Sequence, residues 1–149
     1  MSQLLVPISL GELIDKITIL EIKSRRIRDT AKLEHVRKEL ALLTDVWNAS
    51  PHAAADITEQ RAQLNEVNET LWDIEDQIRQ KEADGQFDGA FIELARRVYL
   101  NNDERAAIKH RINTMLASDI VEEKSYAGDM PKPPHAKAPT DRTPPAHRA

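Results

Sequence analysis

Nine residues, Ile19, Ile22, Arg26, Asp29, Leu33, Val36, Leu40, Leu43 and Trp47, follow one another in steps of three and four. Steps of that size return every member to one side of an α-helix, so the stretch reads as a seam made to lie against another helix. Similar seams follow at Leu64, Val67, Leu71, Ile74, Ile78 and at Phe91, Leu94, Val98, Asn101, Arg105, Ile108, Ile112, Met115. The expected fold is all-α, an antiparallel bundle with coiled-coil-like seams.

Helix breakers set its divisions. No Gly or Pro lies between Gly11 and Pro51, none between Pro51 and Gly85, and none between Gly89 and Gly128. These gaps allow three long helices of about 40, 33 and 28 residues. The first opens with Ser9 as cap and Glu12 three residues later as its capping-box partner. The second is expected to start at Ser50, with Pro51 at the first helical position. The third follows the turn Asp84 to Gly89, with Asp88 as cap. A second stripe on the first helix, Leu10, Leu13, Ile14, Ile17, Leu20 and Ile27, calls for a second partner. Its C-terminal half is expected to pair with the second helix across the Asn48 to Pro51 turn, and its N-terminal half to receive the third. A break near Asp29 and Thr30 would give four helices instead, although the ladder keeps its register through them.

Composition narrows the function. A chain of 149 residues holds one modest core. Without cysteine it has no disulfide, no thiolate nucleophile and no cysteine-bound metal, which agrees with a cytoplasmic address. No apolar run reaches the roughly 18 residues that span a bilayer, and residues 1–10 lack a signal-peptide pattern. A net charge of −4 argues against nucleic acid as partner. His35, His52, His110, His135 and His147 are scattered, so neither a metal nor a cofactor is expected. The one-line enzyme signatures are absent, which points away from an enzyme. Asp73, Glu75 and Asp76 beside Trp72 read as a solvated helix face. The helical domain is placed at 1–127 and a disordered, proline-rich tail at 128–149, where Pro131-Lys132-Pro133-Pro134 matches P-x-x-P.

One polar feature interrupts the seams. Asn101 and Arg105 occupy apolar-ladder positions one turn apart, and an inward guanidinium requires an anionic partner. Glu21 is the nearest by helical face, with Asp73 and Glu75 flanking the second helix's seam. Alternatively, Asn101 and Glu104 form a capping box and the helix breaks there. An open site would use Arg105, Asn101, Lys109, Lys16 and Lys23 to hold a carboxylate, phosphate or sugar nucleotide, with Glu12 or Glu21 as acid or orienter.

The string from Ile8 to Lys23, together with Leu71 to Asp76, Phe91 to Tyr99, Asn102 to Lys109 and Glu122 to Tyr126, resembles a family of small uncharacterised bacterial helical proteins, a domain of unknown function, over roughly residues 4–127. The resemblance implies a setting near sugar transfer and cell-surface polysaccharide assembly, and it gives no residue a catalytic role. Two readings stand side by side. One is a non-catalytic interaction or scaffold module whose spare stripe docks another protein or a second copy, making a homodimer; the other is a small helical enzyme or binder of an anionic ligand.

Overall fold

The computed structural model describes residues 2–126. The proline-rich segment from 128 onward, and with it the expected disorder and the P-x-x-P match, lies outside the described residues. Among the described residues there are four helices: α1 (Leu10–Arg26), α2 (Thr30–Ala49), α3 (Thr58–Ala83) and α4 (Gly89–Met115). There is no strand among the described residues, and none of these helices is long and apolar enough to cross a membrane.

The expected first helix is two helices. At its end Ile27 turns extended, with its N–H closing on the Lys23 carbonyl at 2.9 Å. Asp29 then starts α2 by accepting the Lys32 N–H at 2.9 Å, the capping geometry that aspartate favours over a helix interior. The ladder's period continues across the break, yet its two arms do not share a neighbour, since the backbone of α2 approaches α1 alone. Ile22 on α1 and Val36 and Trp47 on α2 are all buried.

The second expected start is also displaced. Ser50 ends α2 instead of opening a helix, since its N–H and hydroxyl both bond the Trp47 carbonyl, at 3.0 and 2.7 Å. Residues 51–54 form turns, 55–57 are irregular, and α3 begins at Thr58, whose N–H bonds Asp56 Oδ1 at 3.2 Å. Asp88 caps α4 through the Phe91 N–H, as the sequence suggests, and α4 runs unbroken through Asn101 and Asp103.

The hub of the bundle is α1, which packs on α2, α3 and α4, whereas the backbone of α2 approaches α1 alone. The pairing of α2 with α3 expected across the Asn48 to Pro51 turn therefore does not form; α3 pairs with α4. Leu13, Ile14 and Ile17 of α1 join Trp47, Ile57, Leu64, Val67, Leu71, Ile108, Ile112 and Leu116 in one core. Beyond α4 the chain reverses at Ala117, in the left-handed region at φ 51°, where Ser118 N–H reaches back to the Asn113 carbonyl at 2.8 Å. Residues 118–126 then carry Glu122 back to Ser9 and Lys109, and Lys124 to Asn102 and Asp103.

Candidate anion-binding site

The site grows from how α1 begins. A helix start leaves four N–H groups without intrahelical acceptors. Here Leu10 N–H is taken by Ser118 Oγ at 3.3 Å, Gly11 N–H by Asn113 Oδ1 at 2.7 Å and Glu12 N–H by Ser9 Oγ at 3.1 Å, and the helical ladder begins with Leu13 N–H on the Ser9 carbonyl at 3.2 Å. Two of the three capping acceptors come from residues about a hundred positions away, so the start of α1 is folded against the end of α4. Gly11 makes that approach feasible. A Cβ there would drive into the Lys109 carbonyl oxygen and touch Asn113 Oδ1. The other half of the expected capping box does not form, because the Glu12 carboxylate turns to Lys109.

This close crossing sets polar residues of α1 against a polar row of α4. Gly11, Asp15, Thr18 and Ile22 recur in steps of four, three and four, and all four are buried. Asn102, Arg105, Lys109 and Asn113 recur likewise on α4. Asn68 of α3 joins them: its Nδ2 donates to Asp15 Oδ1 at 2.8 Å and to Thr18 Oγ1 at 3.2 Å. The Thr18 hydroxyl itself donates to the Asp15 carbonyl at 2.7 Å. With both bonds of the NH2 group fixed, Asn68 Oδ1 is aimed at Arg105, which donates to it at 3.1 Å. A second donation, to Asn102 Oδ1 at 2.8 Å, completes the hold on the guanidinium. No buried side-chain nitrogen or oxygen among the described residues lacks a partner.

Arg105 is thus gripped by two neutral amides, and among the described residues no carboxylate lies within ion-pair distance of it. Lys109 differs. It donates to Glu12, and Glu122 lies 3.4 Å and Asp15 Oδ2 4.0 Å from its Nζ. Burial alone would lower the Lys109 pKa, but these carboxylates, Glu12 foremost, hold it above its ordinary value. Burial would likewise raise Glu12; the bond and charge of Lys109 outweigh it and keep the carboxyl below its usual range. Asp15 goes the other way. Its burial dominates over the Asn68 bond and the charges of Arg105 and Lys109, so its pKa is raised.

Two hollows open on either side of Arg105 and Asn102, which line both. The first, of about 660 Å³, is walled by Tyr99, Asp103, Lys109, Lys124 and Tyr126. Lys124, 5.7 Å from the Tyr126 ring centre, brings the returning segment to its rim. The second, of about 440 Å³, has Ile19, Ile22, Leu71 and Trp72 as its apolar side and Lys23, Glu75 and Asp76 as polar members. Both volumes fall in the range of small-molecule sites.

The residues expected from the sequence separate clearly. Arg105 and Lys109 come together at the first hollow, and Lys23 lines the second with Arg105. Asn101 turns back along its own helix, donating to the Arg97 carbonyl at 2.8 Å, and its neighbour Asn102 takes the place at the site. Glu21 does not meet Arg105; it pairs with Arg61 of α3, at 2.5 Å. Lys16 points outward, 3.9 Å from Glu12. Asp73 is engaged by Arg26, whose guanidinium also lies 5.8 Å from the Trp72 ring centre. No group of His, Asp or Glu that could hold a metal occurs among the described residues. Asp15, Thr18 and Asn68 were not singled out by sequence reasoning; their signal is the row Gly11, Asp15, Thr18, Ile22, a buried stripe of small and polar letters.

The described residues form an all-helical bundle of four helices with a polar α1–α4 crossing. The chain belongs to a family of unknown function, DUF6165, whose profile matches residues 4–139. The match runs beyond residue 127, where the sequence resemblance was drawn to a close, and into the proline-rich segment. No curated protein and no solved structure matched the chain.

Proposed function

We propose that this chain is a non-catalytic module that binds a small anion, a carboxylate or phosphate, at Arg105. The carrying observation is a guanidinium fixed by Asn68 and Asn102 at the wall of two open hollows, with no carboxylate at ion-pair distance among the described residues. A preorganised fork of N–H donors loses little on binding and suits the planar or tetrahedral oxygens of such groups. Lys109 and Lys124 add positive potential at the first hollow, moderated by the carboxylates they already hold.

The test is a thermal-shift series with phosphate and malonate on the parent and on Arg105→Met, which keeps the bulk of the stem. The parent should be stabilised progressively, with the logarithm of ligand concentration above Kd, and the variant should not. Equal stabilisation of both would refute the site.

A second reading rests on α2. Leu42 and Val46, 44% and 57% exposed, lie one turn apart on its outer side, away from the buried Val36 and Trp47. A protein partner or a second copy docked there would make the chain an interaction module, including a homodimer or an accessory of surface-glycan assembly in the cytoplasm. Sedimentation equilibrium at micromolar concentration should then give a mass above 16.9 kDa that returns to the monomer in Leu42→Glu/Val46→Glu. A monomer in the parent would dismiss it.

A further inference from the structure

The two hollows differ in charge. The first carries Arg105, Lys109 and Lys124 against Asp103, while the second sets Lys23 and Arg105 against Glu75 and Asp76. Lys109 and Lys124 already hold Glu12, Glu122 and Asp103, so an anionic group gains on the first side chiefly from Arg105, which has no carboxylate at ion-pair distance among the described residues, whereas on the second side Glu75 and Asp76 line the hollow with it. The second side has no surplus charge to hold an ion, but it offers carboxylate acceptors at the edge of an apolar surface made by the half-buried Ile19 and Trp72 over the buried Ile22 and Leu71. Acceptors around an aromatic face suit a neutral ring that stacks by its C–H face and donates hydroxyl hydrogens at its rim. A flat aryl group would use the apolar surface and leave the carboxylates unserved; a second anion would be repelled by them.

We infer that the ligand is bipartite: a phosphorylated or carboxylated polyhydroxy ring, its anionic group on Arg105 in the first hollow and its ring against Trp72 in the second, with hydroxyls donating to Asp76 and Glu75. Glu75 already receives Arg79 Nε at 3.3 Å, so Asp76 is the freer acceptor. The ligand crosses at Arg105 and Asn102, the two residues common to both hollows. The inference rests on the anion site proposed above and adds the class of molecule attached to the anion.

Isothermal titration of the full chain with inorganic phosphate, phenyl phosphate and glucose 1-phosphate separates the two claims. The parent should bind glucose 1-phosphate about tenfold more tightly than inorganic phosphate, the increment expected for one ring contact and one or two charge-assisted hydrogen bonds. Trp72→Ala and, independently, the surface variant Asp76→Asn should each remove most of that preference and leave the affinity for inorganic phosphate unchanged. Phosphate binding that depends on Arg105 but shows no gain from the sugar, or a gain indifferent to both variants, overturns the bipartite ligand and spares the anion site. Tighter binding of phenyl phosphate than of glucose 1-phosphate overturns the hydroxylated ring. Failure of all three to bind the parent overturns both claims.

Discussion

Helices α1 and α2 share one unbroken ladder of three- and four-residue steps, yet they occupy opposite positions in the molecule. On α1 the burial extends round most of the cylinder and includes Gly11, Asp15 and Thr18, whereas on α2 only Val36 and Trp47 are buried. Periodicity reports that a helix has a face; it does not report how many neighbours that helix has. A helix enclosed by three others must bury polar positions too, and each buried polar group then demands a partner. That demand creates the Asp15–Asn68–Arg105 chain of contacts. Since α2 packs on one neighbour, it solvates its polar side and builds no site.

Substitutions on the two helices should therefore differ sharply. The largest effect is expected at Gly11, where alanine meets the Lys109 backbone. Despite alanine's better helix propensity, Gly11→Ala should lose about 2 to 4 kcal/mol in denaturant unfolding, because a backbone carbonyl cannot step aside as a flexible side chain can. A loss below about 0.5 kcal/mol would show that the α1–α4 crossing is looser than described. Next comes Asn68→Ala, which strips the hydrogen-bond partner from buried Asp15 and one of two from Arg105. It should cost about 1 to 3 kcal/mol. Leu42→Ala, on the exposed side of α2, should stay within about 0.5 kcal/mol of the parent.

Acidity sharpens the comparison within α1 itself. The folded pKa of Asp15 is raised, so its contribution to stability is present below its unfolded pKa and is lost as pH rises through the folded value. Glu12, lowered by Lys109, contributes stability that is present above its unfolded pKa and is lost as pH falls through the folded value. Relative to the parent, Asp15→Asn should gain stability as pH rises above about 4, while Glu12→Gln should gain it as pH falls below about 4.5. Urea midpoints at several pH values measure both trends, and parallel trends would contradict the opposed environments.

Much of this architecture can be read from local chemistry. The caps at Ser9 and Asp88, the all-helical class and the interest of Arg105 follow from letters close together in the chain. The break at Asp29 was visible only as an alternative, because a ladder that keeps its register favours continuity while an Asp–Thr pair favours a cap. Asn102 was missed by one residue: the apolar ladder of α4 passes through Asn101, but the face that meets α1 is the polar row beside it. The pairing of Glu12 with Lys109 and of Gly11 with Asn113 depends on how α1 slides along α4, and no local pattern states that register. Glu21 shows the same limit, since helical phase alone placed it near Arg105 while packing gave it to Arg61.

The central claim is that burying polar residues on α1 leaves Arg105 held in place and free to take an anion. The most direct measurement is a phosphate titration of ¹⁵N-labelled protein that follows the Arg105 Nε–Hε resonance, with sodium chloride at matched ionic strength as control. A saturable shift in phosphate, absent in chloride and accompanied by no comparable change at Arg26 or Arg61, is the predicted result. An unchanged Arg105 signal, or a drift that chloride reproduces, would contradict it.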